Sequence, residues 1–342
     1  MVRRSFGRVD GEPVDEVVLT SGSGAVAGVI TWGAVLRDLV IPTPRGPRRV
    51  VLGLNTLEDY LRHSPHFGAI AGRYANRIRG GRFTLDGVEH ELPRNENGRT
   101  SLHGGGHGFG KRPWALVAHD ETSATLALRS PDGDAGYPGN LDVTCTYRLA
   151  GTTLRIELTA TTDRATPVNL CHHSYFNLDG GSTILDHELE IAADLYTPLD
   201  ADNVPTGEVR SVAGTPYDFR APRPIRLEEG AQRHRYDDNW LLRRDGAEPS
   251  GAAGPLAFAG RVRSQAGPLS LEVWTTEPAM QVYDGYKLDL AVPGLDGERY
   301  GPCAGLCLEP QHVPDSPNQP HFPSTILRPG AVYRQVTEYR FA

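Results

Sequence analysis

The feature that most restricts the fold of this chain is a recurring alternation of apolar and polar residues with a period of two. Residues 141–149 place an apolar side chain at every second position, and residues 154–160 repeat the pattern after a turn. A third alternating stretch covers residues 271–275, and two shorter ones flank Asp86-Gly87, a dipeptide typical of tight hairpins. Strands separated by short turns predict an all-β fold, an antiparallel sandwich or barrel.

Helical patterning is rare along the chain. The best candidate spans residues 55–61, where Asn55 or Thr56 can cap it, and it places three apolar side chains on one face: Leu57, Tyr60 and Leu61. The 39 glycines and 27 prolines among 342 residues favour many turns over a helical bundle. No linker or internal repeat interrupts the pattern, so we expect a single domain over residues 1–342.

Charge and hydropathy argue against two classes of partner. The formal net charge is −7, whereas nucleic-acid binding needs a basic surface. No run of about 18 apolar residues is present, and the N-terminus lacks the apolar stretch of a signal peptide. The four cysteines form no disulfide framework, and Cys303 and Cys307 lack the second pair of a structural zinc site. We therefore expect a cytoplasmic protein with no nucleic-acid or membrane partner.

Two patterns resemble ligand motifs without fitting them. Residues 105–111 match G-x-x-x-x-G-K, yet Arg112 follows where a phosphate-binding loop needs Ser or Thr. Residues 113–117 predict a strand instead of the helix that would hold phosphate. The Cys-His-His run at 171–173 could hold a metal ion with His103 and a carboxylate, but it lacks helical metal-ligand spacing. The sequence predicts neither a metal nor an organic cofactor.

Four segments embed ionisable or amide side chains among apolar neighbours: residues 72–78, 101–105, 167–178 and 306–312. A buried carboxylate or imidazole costs several kcal/mol unless it is paired or partly hydrated, so such groups usually have a partner or a function.

Each candidate in these segments also has a purely structural explanation. His103 could be a turn residue satisfied by the backbone, and His173 could be a hydrogen-bonded core histidine. Glu309 could be an edge-strand carboxylate or the partner of an arginine, and Arg77 could simply pair with an acidic residue. The residues taken singly leave these alternatives open.

Together with their neighbours, these segments form an ordered set of motifs from about residue 68 to the C-terminus. The set comprises GRYANRI (72–78), FTLDG (83–87), SLHGG (101–105), HSYFNLDG (173–180), YDDNWLL (236–242), EPAMQVYDG (277–285) and LEPQHVPDSPNQPHFPSTILRPG (308–330). In these motifs the chain resembles the aldose 1-epimerase family, also called galactose mutarotases. The resemblance implies a large antiparallel β-sandwich (a galactose mutarotase-like supersandwich) with few short helices and an open sugar cleft.

The resemblance also implies roles for individual residues. His173 resembles the general acid of the family, Glu309 its general base, and His103 a second histidine near the ring oxygen. Four residues resemble contacts to sugar hydroxyls, and a fifth lines the cleft: Asn76, Arg77, Asp237 and Gln281, with Tyr175. His172 stands where the family usually has asparagine, but the Ser-Tyr-Phe-Asn-Leu run follows His173 and favours it as the acid.

The activity implied is interconversion of the α and β anomers of free aldoses such as galactose and glucose, by a monomer or homodimer. A base removes the anomeric hydroxyl proton while an acid protonates the ring oxygen, and a carboxylate and an imidazolium suit these tasks. Three rivals stay open. A hexose-phosphate epimerase would need a cationic cluster, for which Arg73, Arg77 and Arg79 are the candidates. A lectin would bind sugar without turnover, and a glycoside hydrolase would need two catalytic carboxylates.

Overall fold

The computed structural model describes residues 2–230, 232–248, 250 and 254–342, and their regular structure is almost entirely β. In chain order the strands are β1 (Val2–Val9), β2 (Glu12–Thr20), β3 (Val26–Ile30), β4 (Val35–Ile41), β5 (Arg48–Arg49), β6 (Ala69–Ala71), β7 (Arg77–Ile78), β8 (Arg82–Leu85), β9 (Val88–Glu91), β10 (Ser101–Leu102), β11 (Ala115–His119), β12 (Ser123–Ser130), β13 (Leu141–Ala150), β14 (Thr153–Thr162), β15 (Thr166–Pro167), β16 (Cys171–His173), β17 (Tyr175–Phe176), β18 (Glu188–Ile191), β19 (Ala193–Thr197), β20 (Arg210–Ser211), β21 (Arg223–Pro224), β22 (Glu228–Glu229), β23 (Gln232–Arg233), β24 (Asp237–Leu242), β25 (Ala257–Arg263), β26 (Ser270–Thr275), β27 (Ala279–Tyr283), β28 (Leu306–Gln311), β29 (Ile326–Leu327) and β30 (Tyr333–Phe341).

Helical structure is confined to short pieces in the described residues. One α-helix, α1, spans Leu57–His63, and single 3₁₀ turns occupy Arg79–Gly81, Phe109–Lys111, Asp134–Gly136, Leu295–Gly297 and Ser316–Asn318. In the described part of the chain, no helix is long and apolar enough to cross a membrane.

Three sheets account for most of the strands. A nine-stranded sheet has the order β11-β12-β13-β14-β30-β26-β25-β18-β21, and a six-stranded sheet has the order β17-β28-β27-β24-β19-β20. The first five strands form a sheet of their own in sequence order. The strand pairs within these sheets are antiparallel.

The main hydrophobic core contains residues from the facing surfaces of the nine-stranded and six-stranded sheets. Along β13 the buried residues are every second one, from Leu141 to Leu149, and they share the core with Leu306 and Leu308 of β28. The Tyr339 hydroxyl on β30 donates to the Leu308 carbonyl oxygen at 3.0 Å, which ties the two sheets together. The predicted all-β antiparallel sandwich with few short helices is confirmed.

The strands predicted from a clear alternation of apolar and polar residues are present in the structure. Strands β13 and β14 pair along their whole length, with Leu149 opposite Leu154. Strands β8 and β9 form the predicted hairpin, and its turn residues Asp86 and Gly87 have φ of +50° and +81°, as a type I′ turn requires. The 3₁₀ turn ending at Lys111 leads into β11, as predicted for a segment without a phosphate-binding helix.

The predicted helix is present, but fewer of its apolar side chains are buried than expected. Thr56 caps it by accepting a hydrogen bond from the Asp59 backbone N–H at 3.1 Å, and Leu57 and Tyr60 are buried. Leu61 is 40% exposed, so its predicted place on the buried face is wrong. A surface helix of two turns buries only a narrow stripe of its own surface against the protein, which leaves the third apolar side chain in solvent.

Candidate active site

One face of the six-stranded sheet gathers several of the predicted site residues. Pairing of β24, β27 and β28 sets Gln281 directly opposite Glu309 and next to Asn239. Directly paired residues in an antiparallel sheet project from the same face, so Asp237, two residues before Asn239, lies on this face as well. The opposite face of the sheet contributes to the sandwich core.

The short strand β16 carries His173 to this face. Its Nε2 lies 3.6 Å from Glu309 Oε1, and both residues are nearly enclosed, with 5% and 2% of their surfaces exposed. The structure therefore brings together the two residues that the resemblance casts as acid and base.

His172 lies on the other side of β16, because successive strand residues point to opposite faces. Its Nδ1 lies 3.4 Å from the Tyr339 hydroxyl, and its Nε2 lies 3.0 Å from Ser174 Oγ. Burial lowers its pKa to about 3. The neutral ring thus has a partner for each nitrogen within the core, and the metal set that combined it with His173 and His103 does not form.

The loop after β10 holds His103 by a reciprocal pair of hydrogen bonds. The Asn76 N–H donates to His103 Nδ1 at 3.2 Å, and the His103 N–H donates to the Asn76 carbonyl oxygen at 3.0 Å. Gly104 next to it is required, since a Cβ there would lie 2.1 Å from the Gly72 carbonyl oxygen.

These contacts select the tautomer of His103. Burial, followed by the neighbouring His66 and His173, holds its pKa well below the usual value, so the ring is neutral. A neutral imidazole that accepts at Nδ1 carries its proton on Nε2. His103 therefore offers an N–H donor near His173, whose ring centroid lies 5.3 Å away.

His66 is a third histidine at this place, and the sequence reasoning missed it. Its ring stacks on His173 with centroids 5.6 Å apart and lies 4.7 Å from the ring of His103. Burial lowers its pKa to about 3. The only signal available was its position six residues before the first matched motif, and its left-handed φ of +79° is invisible in the sequence.

Tyr175 supports His173 from another direction. Its ring stacks on the imidazole with centroids 5.2 Å apart, and its hydroxyl donates to the Pro65 carbonyl oxygen at 3.0 Å. The hydroxyl therefore already has a partner, and the part of Tyr175 that meets His173 is its ring.

Arg77 anchors a polar network beside the pair. Its guanidinium donates two hydrogen bonds to Glu96, at 2.7 and 2.8 Å, and its Nη2 lies 3.5 Å from Asp237 Oδ2. Gln281 Nε2 donates to Asp237 Oδ1 at 2.9 Å. Arg77 thus pairs with acidic residues, as its structural explanation predicted. These partners, Glu96 and Asp237, belong to the same polar network and orient the guanidinium within it.

Several buried polar atoms on this face have no protein partner among the described residues: Gln281 Oε1 and both side-chain polar atoms of Asn239. Buried polar atoms normally find a hydrogen-bond partner, so these are free to meet the hydroxyls of a ligand. Glu96 and Asn239 were not singled out from the sequence, although Asn239 stands inside the YDDNWLL motif.

Burial controls the protonation of Glu309 and His173. It raises the pKa of Glu309 to about 8, with Asp237 adding to the effect, and lowers the pKa of His173 to about 4. Between these values the pair holds one proton. Transfer of that proton from Glu309 to His173 across the 3.6 Å contact would leave Glu309 as a base and His173 as an acid, against the order of their pKa values.

Comparison with known proteins identifies relatives across the whole chain. The family model described as aldose 1-epimerase matches residues 15–340. The chain is 41% identical to galactose mutarotase of Rattus norvegicus over 341 residues, covering 95% of this chain and 96% of the relative. It is 40% identical to aldose 1-epimerase of Escherichia coli K12 over 343 residues, covering 97% and 96%.

Solved structures that resemble this fold come from proteins with the same family names. An aldose epimerase homologue from C. elegans superposes with a TM-score of 0.88 at 31% identity, covering 96% of this chain and 98% of that one. Galactose 1-epimerase from Lactobacillus acidophilus has a TM-score of 0.83 at 27% identity, covering 100% and 98%. On the extent of these matches, the chain belongs to the aldose 1-epimerase family, whose members are isomerases acting on carbohydrates.

Proposed function

We propose that this protein interconverts the α and β anomers of free aldoses such as galactose and glucose by general acid–base catalysis. The observation that carries the proposal is the enclosed contact between Glu309 and His173, whose Oε1 and Nε2 lie 3.6 Å apart. Binding a sugar without turnover, as in a lectin, would not require this pair.

In the proposed reaction, Glu309 removes the proton from the anomeric hydroxyl while His173 donates a proton to the ring oxygen. The bond between C1 and the ring oxygen breaks, and its electron pair stays on that oxygen as the aldehyde forms. Rotation about C1–C2 presents the other face of the aldehyde. Both proton transfers then reverse, which closes the opposite anomer and restores Glu309 and His173.

The neighbouring side chains are suited to hold the sugar during rotation. The Nε2–H of His103 can donate to an oxygen near the ring. Arg77, Asp237 and Gln281 offer donors and acceptors for hydroxyl groups, and Asn76 shapes the loop that holds His103. Preorganised donors of this kind favour charge development at defined oxygens without reorganisation of solvent.

The direct test is polarimetry of freshly dissolved α-glucose, α-galactose, xylose and arabinose, with and without the protein. We expect the approach to anomeric equilibrium to accelerate in proportion to protein concentration for at least one of these sugars. A protein that binds the sugars without accelerating the change would be a lectin, and the proposal would be wrong. Whether the active form is a monomer or a homodimer stays a prediction that light scattering can check.

We expect a free aldose to be preferred over a sugar phosphate. Glu96 and Asp237 already face the Arg77 guanidinium, so a phosphate dianion would enter a site with excess negative charge. Like-charge contact costs several kcal/mol, and we expect kcat/KM for glucose 6-phosphate to be about 100-fold or more below that for glucose. Nuclear magnetic resonance exchange measures both anomerisations, and 6-O-methylglucose controls for the added bulk.

The other candidate cations do not change this expectation. Regular alternation would have put Arg73 and Arg79 on the face of Arg77, but β7 covers only Arg77–Ile78. The buried Arg73 donates to the carbonyl oxygens of Pro138 and Gly139, and Arg79 pairs with Asp200. The exposed Lys111 lies near His66 but is screened by solvent. A higher kcat/KM for the phosphate would support the hexose-phosphate rival instead.

The pH profile of kcat/KM should be bell-shaped with a broad top. Below about pH 4 both Glu309 and His173 are protonated, so the base is lost, and above about pH 8 the pair loses its single proton, so the acid is lost. The rate should therefore fall about tenfold per pH unit outside this range. The measurement is polarimetry from pH 3.5 to 9.5 after subtraction of the spontaneous rate. Limbs near the ordinary values of 4.5 and 6.5 would contradict the assignment.

A further inference from the structure

Two cysteine thiols lie directly against the acid–base pair. Cys307 Sγ is 3.6 Å from His173 Nδ1, and Cys171 Sγ is 3.5 Å from Glu309 Oε2. Both are free cysteines and both are buried. The proton transfers of the proposed reaction use neither sulfur, so their position calls for a separate explanation.

The potential ligand atoms form a compact set. One atom each from His173, Cys307 and Glu309 lie within 4.8 Å of one another. In a tetrahedral site with bonds of about 2.0–2.3 Å, neighbouring ligand atoms are about 3.3–3.8 Å apart. The distance of 3.6 Å from Cys307 Sγ to His173 Nδ1 already falls in this range. Glu309 Oε1 lies 3.6 Å from Nε2 of the same ring, so an ion held by all three residues needs a rotation of the carboxylate or of the imidazole.

We propose that His173, Cys307 and Glu309 bind a divalent cation of the Zn²⁺ class, and that the bound ion inhibits the enzyme. An imidazole, a thiolate and a carboxylate are the nitrogen, sulfur and oxygen donors that zinc accepts. Magnesium and calcium prefer sites made of oxygen alone, so they should not compete. Cys171 lies against Glu309 but outside this set of three residues, so it is not one of the proposed ligands.

Charge balance favours the ion. Its ligands must be deprotonated, so binding releases the thiol proton of Cys307 and the proton held by the pair of His173 and Glu309. The ion, one thiolate, one carboxylate and a neutral imidazole then sum to zero charge, and no atom is oxidised or reduced. Two further carboxylates, Glu96 and Asp237, add negative potential that Arg77 only partly offsets.

Inhibition follows from which atoms the ion occupies. It would take the carboxylate needed as base and the imidazole needed as acid, so the ion and the sugar should compete for the free enzyme. The inhibitory half of the proposal rests on the proposed function, whereas binding of the ion does not. The reaction itself has no step at this ion.

Binding is tested on full-length protein treated with a chelator and then titrated with Zn²⁺ by calorimetry. We expect one site per chain, and Co²⁺ should give the absorption band of a cobalt–thiolate bond. Cys307→Ser should weaken Zn²⁺ binding by more than about 100-fold, since loss of even a supporting residue costs about 10–100-fold. Cys303→Ser is the matched control, because Cys303 contacts Arg233 outside the cluster and should bind like wild type. Cys307→Ala replaces the serine variant if that one does not fold.

Inhibition is tested by the ratio of anomerisation rates with and without Zn²⁺ for each variant. Wild type and Cys303→Ser should be inhibited and recover on addition of chelator, while Cys307→Ser should need more than about 100-fold more Zn²⁺. Absence of stoichiometric binding, or equal affinity in Cys307→Ser and wild type, would overturn the site. Binding without inhibition would overturn its inhibitory role. A protein that binds the ion through Cys307 but never accelerates anomerisation would refute the proposed function and leave the site standing.

Discussion

Glu309→Gln should lower the catalysed rate of anomerisation by about 10²–10⁴-fold, which is the usual contribution of a positioned acid or base. Glutamine keeps the shape of the side chain but cannot accept the proton of the anomeric hydroxyl. The loss should appear in kcat as well as in kcat/KM, because the interaction removed is made only in the transition state. Polarimetry at neutral pH measures it.

The same substitution should leave the fold intact. Burial raises the pKa of Glu309 from its ordinary value to about 8, so this group favours folding at pH below the unfolded value of about 4.5 and loses that contribution as pH rises towards 8. At pH 7 wild type has therefore lost part of this stability, and a neutral glutamine avoids the loss. We expect the melting temperature of Glu309→Gln to equal or exceed that of wild type.

A second buried carboxylate provides the control for Glu309→Gln. Glu277 accepts from His312 at 2.7 Å and is not among the proposed site residues. Glu277→Gln should lower the melting temperature because it removes the carboxylate that His312 contacts at 2.7 Å, while the rate per folded molecule stays within about tenfold of wild type. The assignment of Glu309 would be refuted if Glu309→Gln kept more than about a tenth of the wild-type rate.

His173→Asn should abolish most activity, by about 10²–10⁴-fold, whereas His172→Asn should leave the rate largely unchanged. His173 approaches Glu309, but His172 lies on the opposite side of the strand between Tyr339 and Ser174. Asparagine cannot deliver a proton to the ring oxygen, which is the role proposed for His173 alone.

Thermal stability should distinguish the two variants in the opposite sense: we expect His172→Asn to lose more stability and His173→Asn to lose more activity. His172→Asn disturbs hydrogen bonds in the core, and each buried polar group left without a partner costs about 1–3 kcal/mol. We therefore expect a clear fall in its melting temperature. The two variants are compared by polarimetry and thermal unfolding on the same preparations. Equal losses of activity would indicate a shared role and contradict the assignment.

Much of the fold was readable from local patterns. Alternation over residues 141–149 and 154–160 predicted β13 and β14, because each strand has one face in the core and one towards solvent. The all-buried strand β28 carries no such signal, since both of its faces are covered. Its interpretation came from the LEPQH motif, and the resemblance supplied the candidate roles of Glu309 and Gln281.

The residues that sequence patterns did not single out are those whose importance depends on tertiary contacts. His66 and Glu96 have no distinctive sequence context, and the two thiols at Cys171 and Cys307 were considered only in other metal sets. Each of these residues matters through a contact with a distant segment. Glu96 reaches Arg77 across 19 positions, and Cys171 reaches Glu309 across 138. The predicted burial of Leu61 was wrong for a different reason. Helical periodicity shows which side chains share a face, but it does not show how much of that face the rest of the protein covers.

The sequence by itself determined the antiparallel strands, the Asp86-Gly87 hairpin and the separation of His172 from His173, because backbone pleating and turn geometry act over a few neighbouring residues. Only the tertiary structure decided that His173 meets Glu309, that His103 keeps its proton on Nε2, and that two thiols border the pair. Those facts depend on how β16, β28 and the loop after β10 pack, and burial there shifts the pKa values of Glu309, His173 and His103. Packing between distant segments excludes water, and that exclusion moves the pKa of Glu309 up and that of His173 down.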